Sequence, residues 1–212
     1  MSQPNERYQT RVNEALKEAR DKAIANKDVM DLDLQKNKWV IFSDHHKGAR
    51  DGADDFSGSE DVYHAALGYY FEKGYHLAVL GDVEELWEND PKPVTEKNCE
   101  TLELERAFYD KNRYWRFWGN HDDAWSYSDL VDRHLGPFFP DLNVRESLLI
   151  SVTDGGQEIG KFLLVHGHQG TIFSDRLRGL GRFGVRYFWR PIQRKLRFSL
   201  NTPAKDWGLR QE

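Results

Sequence analysis

Four short apolar runs, each followed at once by side chains that commonly bind metal ions, constrain the fold of this 212-residue chain most strongly. Each run has the length of a buried strand and is too short for a helix. The polar residues therefore fall at the carboxyl ends of predicted strands, where open α/β sheets bind their ligands. The four stretches span residues 39–48, 77–82, 115–122 and 162–168.

In the first stretch, Asp44 and His46 follow the predicted strand and are separated by a single residue. An extended backbone would point both side chains to the same side and would point His45 away, toward the core or the surface. A carboxylate oxygen and an imidazole nitrogen that share one direction suit a divalent transition metal. Each stretch alone is a weak signal, because a polar turn after a strand is common. The four together predict one site at one edge of a sheet.

The segments around these stretches predict an α/β fold. Periodicity predicts helices over residues 5–24, 60–73, 95–111 and 126–135, and strands over 38–42, 76–80 and 113–118. Residues 26–36 are predicted to be a connection, and residues 142–165 a hairpin with a turn that contains glycine. Strand, helix and strand over residues 38–80 predict a βαβ unit with parallel strands and a right-handed crossover.

Composition favours one folded, soluble domain. Aromatic residues make up 13% of the chain, and seven of them are Trp, which argues against disorder. The single cysteine, Cys99, excludes an internal disulfide and fits a reducing compartment. The polar N-terminus predicts no signal peptide, and no apolar run approaches the length that spans a bilayer. The expected protein is cytoplasmic and has no transmembrane segment.

The C-terminal region is basic and aromatic. Residues 171–212 carry ten Lys and Arg against three Asp and Glu, whereas the first 170 residues carry twenty against thirty-two. Arg182, Arg186, Arg190 and Arg194 step by four and would form one stripe on a helix, although Pro191 would interrupt it. Two interpretations stay open. The region is either a solvated face whose aromatic residues pack on the core, or a lid or docking surface for an anionic substrate.

The polar turns resemble the successive motifs of the calcineurin-like metallophosphoesterases. The matching motifs are Asp44-His45-His46, Gly81-Asp82, Gly119-Asn120-His121-Asp122 and His166-Gly167-His168. The resemblance covers residues 38–168 in order and spacing. It implies an α/β fold in which a β-sandwich is flanked by helices and holds a dinuclear metal site at the carboxyl ends of its strands. Residues 36–170 would form this core, residues 1–35 an N-terminal helix and connection, and residues 171–212 a helical cap or tail of the same domain.

The resemblance also implies a set of metal ligands. Asp44 and His46 would bind the first of two divalent metal ions, and Asp82 would bridge both. Asn120 and His166 would bind the second ion. Carboxylate, amide and imidazole ligands suit Mn, Fe or Zn, and the choice among these three stays open.

The implied activity is hydrolysis of a phosphomonoester or a phosphodiester through attack by a metal-bridging hydroxide. His121 would be catalytic and would meet the leaving-group oxygen or the phosphate. Asp122 would either orient His121 or cap the helix that follows.

Two alternatives stand beside this activity. The UDP-2,3-diacylglucosamine hydrolases of the same superfamily carry a helical insertion after the fourth motif, so a pyrophosphatase acting on a nucleotide-linked lipid precursor is one. The partner would then be an anionic lipid or a nucleotide held under the basic tail. The other alternative is a non-catalytic binding module with an incomplete metal site, whose basic tail contacts an anionic surface. The acidic main body argues against extensive contact with nucleic acid.

One departure from the family pattern concerns the end of the chain. The family normally adds a Gly-His-x-His turn on a later strand, but no histidine follows His168. Either the chain is a shortened form that leaves each metal one ligand short, or His168 has become a substitute ligand. The first interpretation is preferred, because one turn cannot easily supply ligand positions spread over two strands. His168 then supports the ligands, and weak metal binding with slow turnover is expected.

Overall fold

The computed structural model describes residues 6–51 and 54–168. These residues form a mixed α/β fold with two sheets and several helices. The predicted lid or tail over residues 171–212 lies outside the described residues and stays a prediction.

Five α-helices and seven strands make up the described fold. The helices are α1 (Glu6–Ala25), α2 (Glu60–Glu72), α3 (Pro91–Lys97), α4 (Cys99–Tyr109) and α5 (Ser128–His134). The strands are β1 (Val29–Asp33), β2 (Trp39–Phe42), β3 (His76–Leu80), β4 (Tyr114–Phe117), β5 (Val144–Arg145), β6 (Ser147–Asp154) and β7 (Gln157–Val165). Short 3-10 helices at Phe56–Gly58 and Asp123–Ser126 complete the elements. None of the helices in this part of the chain is long and apolar enough to cross a membrane.

The first sheet has four parallel strands in the order β2-β3-β4-β5. Its central strand β3 buries Leu77, Ala78 and Val79 completely, as expected for a strand that is covered on both faces. Strands β2 and β3 pair in parallel with α2 between them in the chain, which confirms the parallel strands of the predicted βαβ unit. The parallel arrangement brings the carboxyl ends of β2, β3 and β4 to one edge.

The second sheet has the order β1-β6-β7 and mixes the two pairing modes. Strand β1 pairs in parallel with β6, and β6 pairs antiparallel with β7. Gly155 and Gly156 connect β6 to β7 with φ values of 58° and 89°, a backbone region that glycine adopts readily, so the predicted hairpin is confirmed.

The prediction that residues 26–36 are only a connection is wrong, because Val29–Asp33 forms strand β1. Only Leu32 of this strand is buried, and Asp31 faces solvent, so the segment carries little apolar signal. The strand is defined by its register with β6, in which Leu32 lies opposite Val152.

Apolar side chains fill the space between the sheets and the space under the helices. Leu32, Ala78, Phe117 and Ile150 belong to the cluster shared by the two sheets. A larger cluster covers the helical side of the parallel sheet and includes Tyr63 and Leu67 of α2 with Leu102 and Phe108 of α4. Each fully buried Leu or Phe side chain contributes roughly 1.5–3 kcal/mol. The edge of the parallel sheet that carries the polar turns therefore rests on a packed apolar core.

The helix predicted over residues 95–111 is in fact two helices that meet at Asn98. Pro91 begins α3, a position where the missing N–H of proline costs nothing. The Asn98 side chain donates to the carbonyl oxygens of Val94 and Gly48, each at 2.8 Å. The bond to Gly48 ties the break between the two helices to the first polar turn.

Candidate metal centre

The four polar turns converge, but from two sheets. The turns after β2, β3 and β4 lie at the carboxyl edge of the parallel sheet, as predicted, whereas the fourth turn follows β7 of the other sheet. Backbone hydrogen bonds join the first turn to the second: Asp44 N donates to Gly81 O at 3.1 Å, and His46 N donates to Asp82 O at 3.0 Å. The first two ligand turns therefore hold a fixed register.

The backbone at three predicted ligands is left-handed. Asp44, His46 and Asp82 have φ values of 57°, 49° and 50°. The expectation that an extended backbone aligns Asp44 with His46 is therefore wrong, yet one ligand atom from each of the three residues lies within 4.8 Å of the others. Each such non-glycine residue costs on the order of 1–3 kcal/mol, and strained residues of this kind concentrate at functional sites.

The carboxylate of Asp82 lies at the centre of the cluster. Its Oδ2 is 3.1 Å from His166 Nε2 and 4.0 Å from His46 Nε2, and its Oδ1 accepts the backbone N–H of His121 at 2.8 Å. Only 4% of the residue is exposed. Burial alone would raise the pKa of Asp82, but the hydrogen bond from His166 and the nearby imidazoles outweigh it and lower that pKa. The side chain is therefore anionic at neutral pH.

The ring of His166 is oriented by its own backbone contact. Its Nδ1–H donates to Leu80 O at 2.8 Å, so Nε2 faces Asp82. Burial opposes the charged ring, but the hydrogen bond to Asp82 raises the pKa of His166 to about 9. A metal-ligating histidine usually donates its other ring N–H to a carbonyl or a carboxylate, as His166 Nδ1–H does to Leu80 O.

Two glycines make the close approach of these turns feasible. A Cβ at Gly119 would lie 2.2 Å from Asp82 Oδ1 and 2.6 Å from the backbone nitrogen of Asp82. A Cβ at Gly81, where φ is 71°, would lie 2.6 Å from Cγ of His166. The residues that begin the second and third turns, Gly81 and Gly119, must therefore lack side chains for Asp82 and His166 to meet.

His121 is held by two residues that sequence reasoning missed. Its Nδ1 donates to Glu85 Oε2 at 2.7 Å, and its ring stacks on Trp87 with centroids 4.3 Å apart. Glu85 Oε2 also accepts from His46 Nδ1 at 3.0 Å. Burial alone would raise the pKa of Glu85, but the hydrogen bonds from His121 and His46 lower it. The only feature of the sequence that could have identified Glu85 as a site residue is its position three residues after Asp82.

Asp122 serves the backbone of two turns. It is fully buried, and it accepts N–H groups from Gly119 at 2.6 Å, Val83 at 2.8 Å and Asp82 at 3.2 Å. Burial and the neighbouring charge of Glu84 raise the pKa of Asp122 to about 7. Its side chain makes no capping bond to the 3-10 helix that follows, and His121 takes its orientation from Glu85. These contacts assign Asp122 to positioning the second and third turns.

Asn120 and His168 are the remaining predicted site residues. Trp87 Nε1 donates to the backbone oxygen of Asn120 at 2.5 Å, and the next residue contacts Asp82, so Asn120 stands beside the centre. His168 is buried with its ring 5.2 Å from that of Trp118 and 5.7 Å from that of His166. Whether His168 substitutes for a ligand or supports one stays a prediction.

The donor set fits divalent transition metals. Within the described residues, two groups place three ligand atoms within 4.8 Å of one another: Asp44 with His46 and Asp82, and His46 with Glu85 and His121. Carboxylate oxygens and imidazole nitrogens together suit Mn, Fe or Zn. A cation bound at His166 would displace a proton from its ring, because a ligating imidazole must be neutral.

His45 points away from the cluster, as predicted. Its ring lies 4.2 Å from that of Tyr63, with Phe42 and Phe56 also in contact. Burial lowers the pKa of His45 to about 3, so the ring is neutral at physiological pH.

A buried ionic network lies directly beneath the turns. Lys47 Nζ is 2.5 Å from Glu105, and Arg116 is 3.0 Å from Glu105 and 2.5 Å from Glu84. All four side chains are almost completely buried, and their formal charges cancel. Trp125 Nε1 adds a hydrogen bond to Glu84 at 2.8 Å. The network links the turns after β2 and β3 to α4 and β4.

Comparison with known proteins identifies no relative: neither a family model, nor a curated protein, nor a solved structure matches this chain.

Proposed function

We propose that this chain is a metal-dependent phosphoesterase with a sandwich of two sheets and a dinuclear metal site, which hydrolyses a phosphomonoester or a phosphodiester. One observation carries the proposal. The carboxylate of Asp82 lies between His46 and His166, which come from the ends of β2 and β7 in different sheets. A buried carboxylate with an imidazole on either side could bridge two cations held by those imidazoles.

The metal ligands are proposed residue by residue. Asp44 and His46 would hold one divalent cation, Asn120 and His166 the other, and Asp82 both. Such cations, when bound, supply Lewis acidity at the phosphoryl group and lower the pKa of a water molecule. The left-handed backbone at Asp44 and Asp82 and the missing Cβ at Gly119 serve to bring these groups together.

His121 would protonate the leaving oxygen. Its Nδ1–H is held by Glu85, which leaves Nε2 as the atom that gives up the proton. The stacked ring of Trp87 fixes the plane of the imidazole. A positioned general acid contributes typically about 10²–10⁴-fold to the rate.

Hydrolysis assays with defined metal content test the proposed function. The protein is saturated with Mn²⁺ and incubated with p-nitrophenyl phosphate and with its bis ester. We expect hydrolysis of at least one ester, loss of the activity after chelation, and recovery on adding Mn²⁺ back. Full metal occupancy without hydrolysis of either ester would contradict the proposal and favour a non-catalytic binding module.

A further inference from the structure

An apolar groove of about 470 Å³ lies between the edge strands of the two sheets. Strand β7 lines one wall with Phe162 and Leu164, and β2 lines the other with Trp39 and Ile41. Of the described residues that line the groove, Asn37 is the only polar one. The groove therefore offers an apolar surface with few polar groups to satisfy.

The register of the strands assigns the walls of the groove to the interior of the fold. Phe162 is paired with Ile150, and Ile41 is paired with Ala78. Paired residues point to the same face of a sheet, and both Ile150 and Ala78 belong to the apolar cluster between the sheets. Phe162 is nevertheless 63% exposed, and Ile41 is 48% exposed. The described elements therefore leave part of the space between the sheets uncovered.

Strands β2 and β7 also lie at the edges of their sheets. In the part of the chain that the structure describes, each of them pairs with a single neighbouring strand. A long edge strand with exposed apolar side chains is a template for pairing with a further strand. Strand β7 has nine residues and β2 has four, so β7 presents the larger template.

The chain itself contains a segment whose pattern fits this groove. Residues 195–201 alternate strictly: Leu196, Phe198 and Leu200 are apolar, and the residues beside them are polar. This period of two is typical of a strand with one buried face. The preceding residues 182–194 instead carry arginine at every fourth position, which is a helical spacing. The sequence therefore distinguishes residues 195–201 as the segment suited to a sheet edge.

The connection from β7 is long enough for this segment to return to the groove. Strand β7 ends at Val165, so residues 166–194 precede the alternating segment. An extended chain spans roughly 3.3 Å per residue, so this connection can reach farther than the whole length of β7. Because the segment is tethered to β7, it competes at a high effective concentration with any separate partner.

We propose that residues 195–201 cover this groove as an added strand beside β7. Phe198 and the apolar residues two positions away on either side face Phe162 and Ile41, and the alternate polar residues face solvent. This part of the basic C-terminal region then completes the space between the sheets and does not form a lid over the metal centre. The inference is independent of the proposed phosphoesterase function, because it uses only the groove and residues 195–201.

Hydrogen exchange of the full chain, followed by mass spectrometry of its peptides, tests the covering of β7. We expect Phe198→Ser to accelerate exchange in β7 about tenfold, because opening that strand no longer uncovers a buried aromatic ring. Arg197→Ser, at the next position and on the opposite face of the proposed strand, is the matched control and should leave β7 unchanged. Unchanged exchange in α4 shows that each variant is folded.

Several results of this experiment would overturn the inference. One is an unchanged rate for β7 in Phe198→Ser, and another is equal acceleration by Arg197→Ser. A third is acceleration spread equally over β7 and α4, which would indicate a general loss of stability. Faster exchange at residues 43–48 with β7 unaltered would place the segment over the polar turns instead.

Protein concentration distinguishes the tethered segment from a second copy of the chain. Exchange of β7 in the parent protein is compared at two widely separated protein concentrations. A segment of the same chain protects β7 equally at both, and this is the result that we expect. Protection that appears only at the higher concentration would assign the groove to a second copy and would overturn the inference.

Discussion

The side chain of Asp82 makes three contacts within the candidate metal centre. It faces His46 and His166 through one oxygen and accepts the backbone N–H of His121 through the other. These groups come from three polar turns, so the carboxylate joins the first, third and fourth turns to its own. A neutral amide of the same size would keep much of the shape but lose the charge that a pair of cations needs.

Asp82→Asn is therefore expected to lower the proposed phosphoesterase rate by orders of magnitude, because the proposed bridge between two cations would lose its charge. The rate is measured with Mn²⁺ at saturation. Asp31→Asn, a change of the same chemistry at an exposed position on β1, should leave the rate unaltered. An Asp82→Asn protein as active as the parent would remove Asp82 from the mechanism.

His121→Ala tests the division of roles between ligand and acid. The side chain is held by Glu85 and Trp87, so we expect the variant to retain its metal while kcat falls by roughly 10²–10⁴-fold. Metal content and kcat are measured on the same sample. Loss of metal from the variant would instead make His121 a ligand. His121 lies in one group of potential ligands with His46 and Glu85, so the metal content of the variant decides between the two roles.

At the scale of elements, the site depends on turns that approach one another more closely than side chains normally allow. Strands β2, β3 and β4 end side by side, and the turn after β7 reaches them from the second sheet. Asp122 then ties the second turn to the third through backbone N–H groups. Small changes in this backbone should therefore affect metal binding before they affect the fold.

Gly119→Ala tests this closeness. The new Cβ would meet the backbone nitrogen of Asp82 at 2.6 Å, which a side-chain rotation cannot relieve. We expect the affinity for Mn²⁺ to fall by roughly 10–100-fold, the size of effect seen when the supports of metal ligands are disturbed.

Gly68→Ala is the control for that substitution. Gly68 lies within α2 with open space around its Cα, so the change should stabilise the helix by roughly 0.5–1 kcal/mol and leave Mn²⁺ affinity unchanged. Calorimetric titration of both variants provides the comparison. Equal affinities in the two proteins would show that the approach of the turns is not required.

Over the whole molecule, the buried network of Lys47, Glu84, Glu105 and Arg116 couples the site to the fold. Burial alone would raise the pKa of Glu105, but Lys47 and Arg116 outweigh it and lower that pKa to about 2. Its unfolded value is 4.5. The stabilisation from the charged form is therefore complete above pH 4.5 and is lost as the pH falls toward 2.

The expected contribution of Glu105 to the free energy of unfolding above pH 4.5 is on the order of 3 kcal/mol. Denaturant unfolding at several pH values between 2 and 7 measures it. Glu105→Gln should destabilise the protein at neutral pH, because Lys47 is left buried without its partner, and should flatten the slope of stability between pH 4.5 and 2. If Glu105→Gln keeps the full dependence of the free energy of unfolding on pH between 4.5 and 2, other carboxylates cause that dependence.

Much of this fold follows from local patterns in the sequence. Continuous apolar runs predict β2, β3 and β4, and the polar residues after them are found together at one edge. Strand β1 escapes prediction because its single buried side chain, Leu32, gives no periodic signal, and its register depends on β6 more than a hundred residues later.

The contacts within the candidate metal centre are less predictable, because they too join residues that are far apart in the sequence. The left-handed backbone of Asp44 is accompanied by a hydrogen bond to Gly81, which follows another strand, β3. Glu85 becomes a site residue only when folding places His121 within 2.7 Å of it. Contacts between residues distant in the chain leave no local pattern, so residue types were predictable here and their partners were not.

Titration with Mn²⁺ tests the central claim most directly, because every proposed step requires Asp44, His46, Asp82, Asn120 and His166 to share cations. Calorimetry is performed on the parent protein and on Asp82→Asn. The account predicts two equivalents bound per chain in the parent and at most one in the variant. A parent protein that binds no metal, or a variant that binds two equivalents with unchanged affinity, would contradict it.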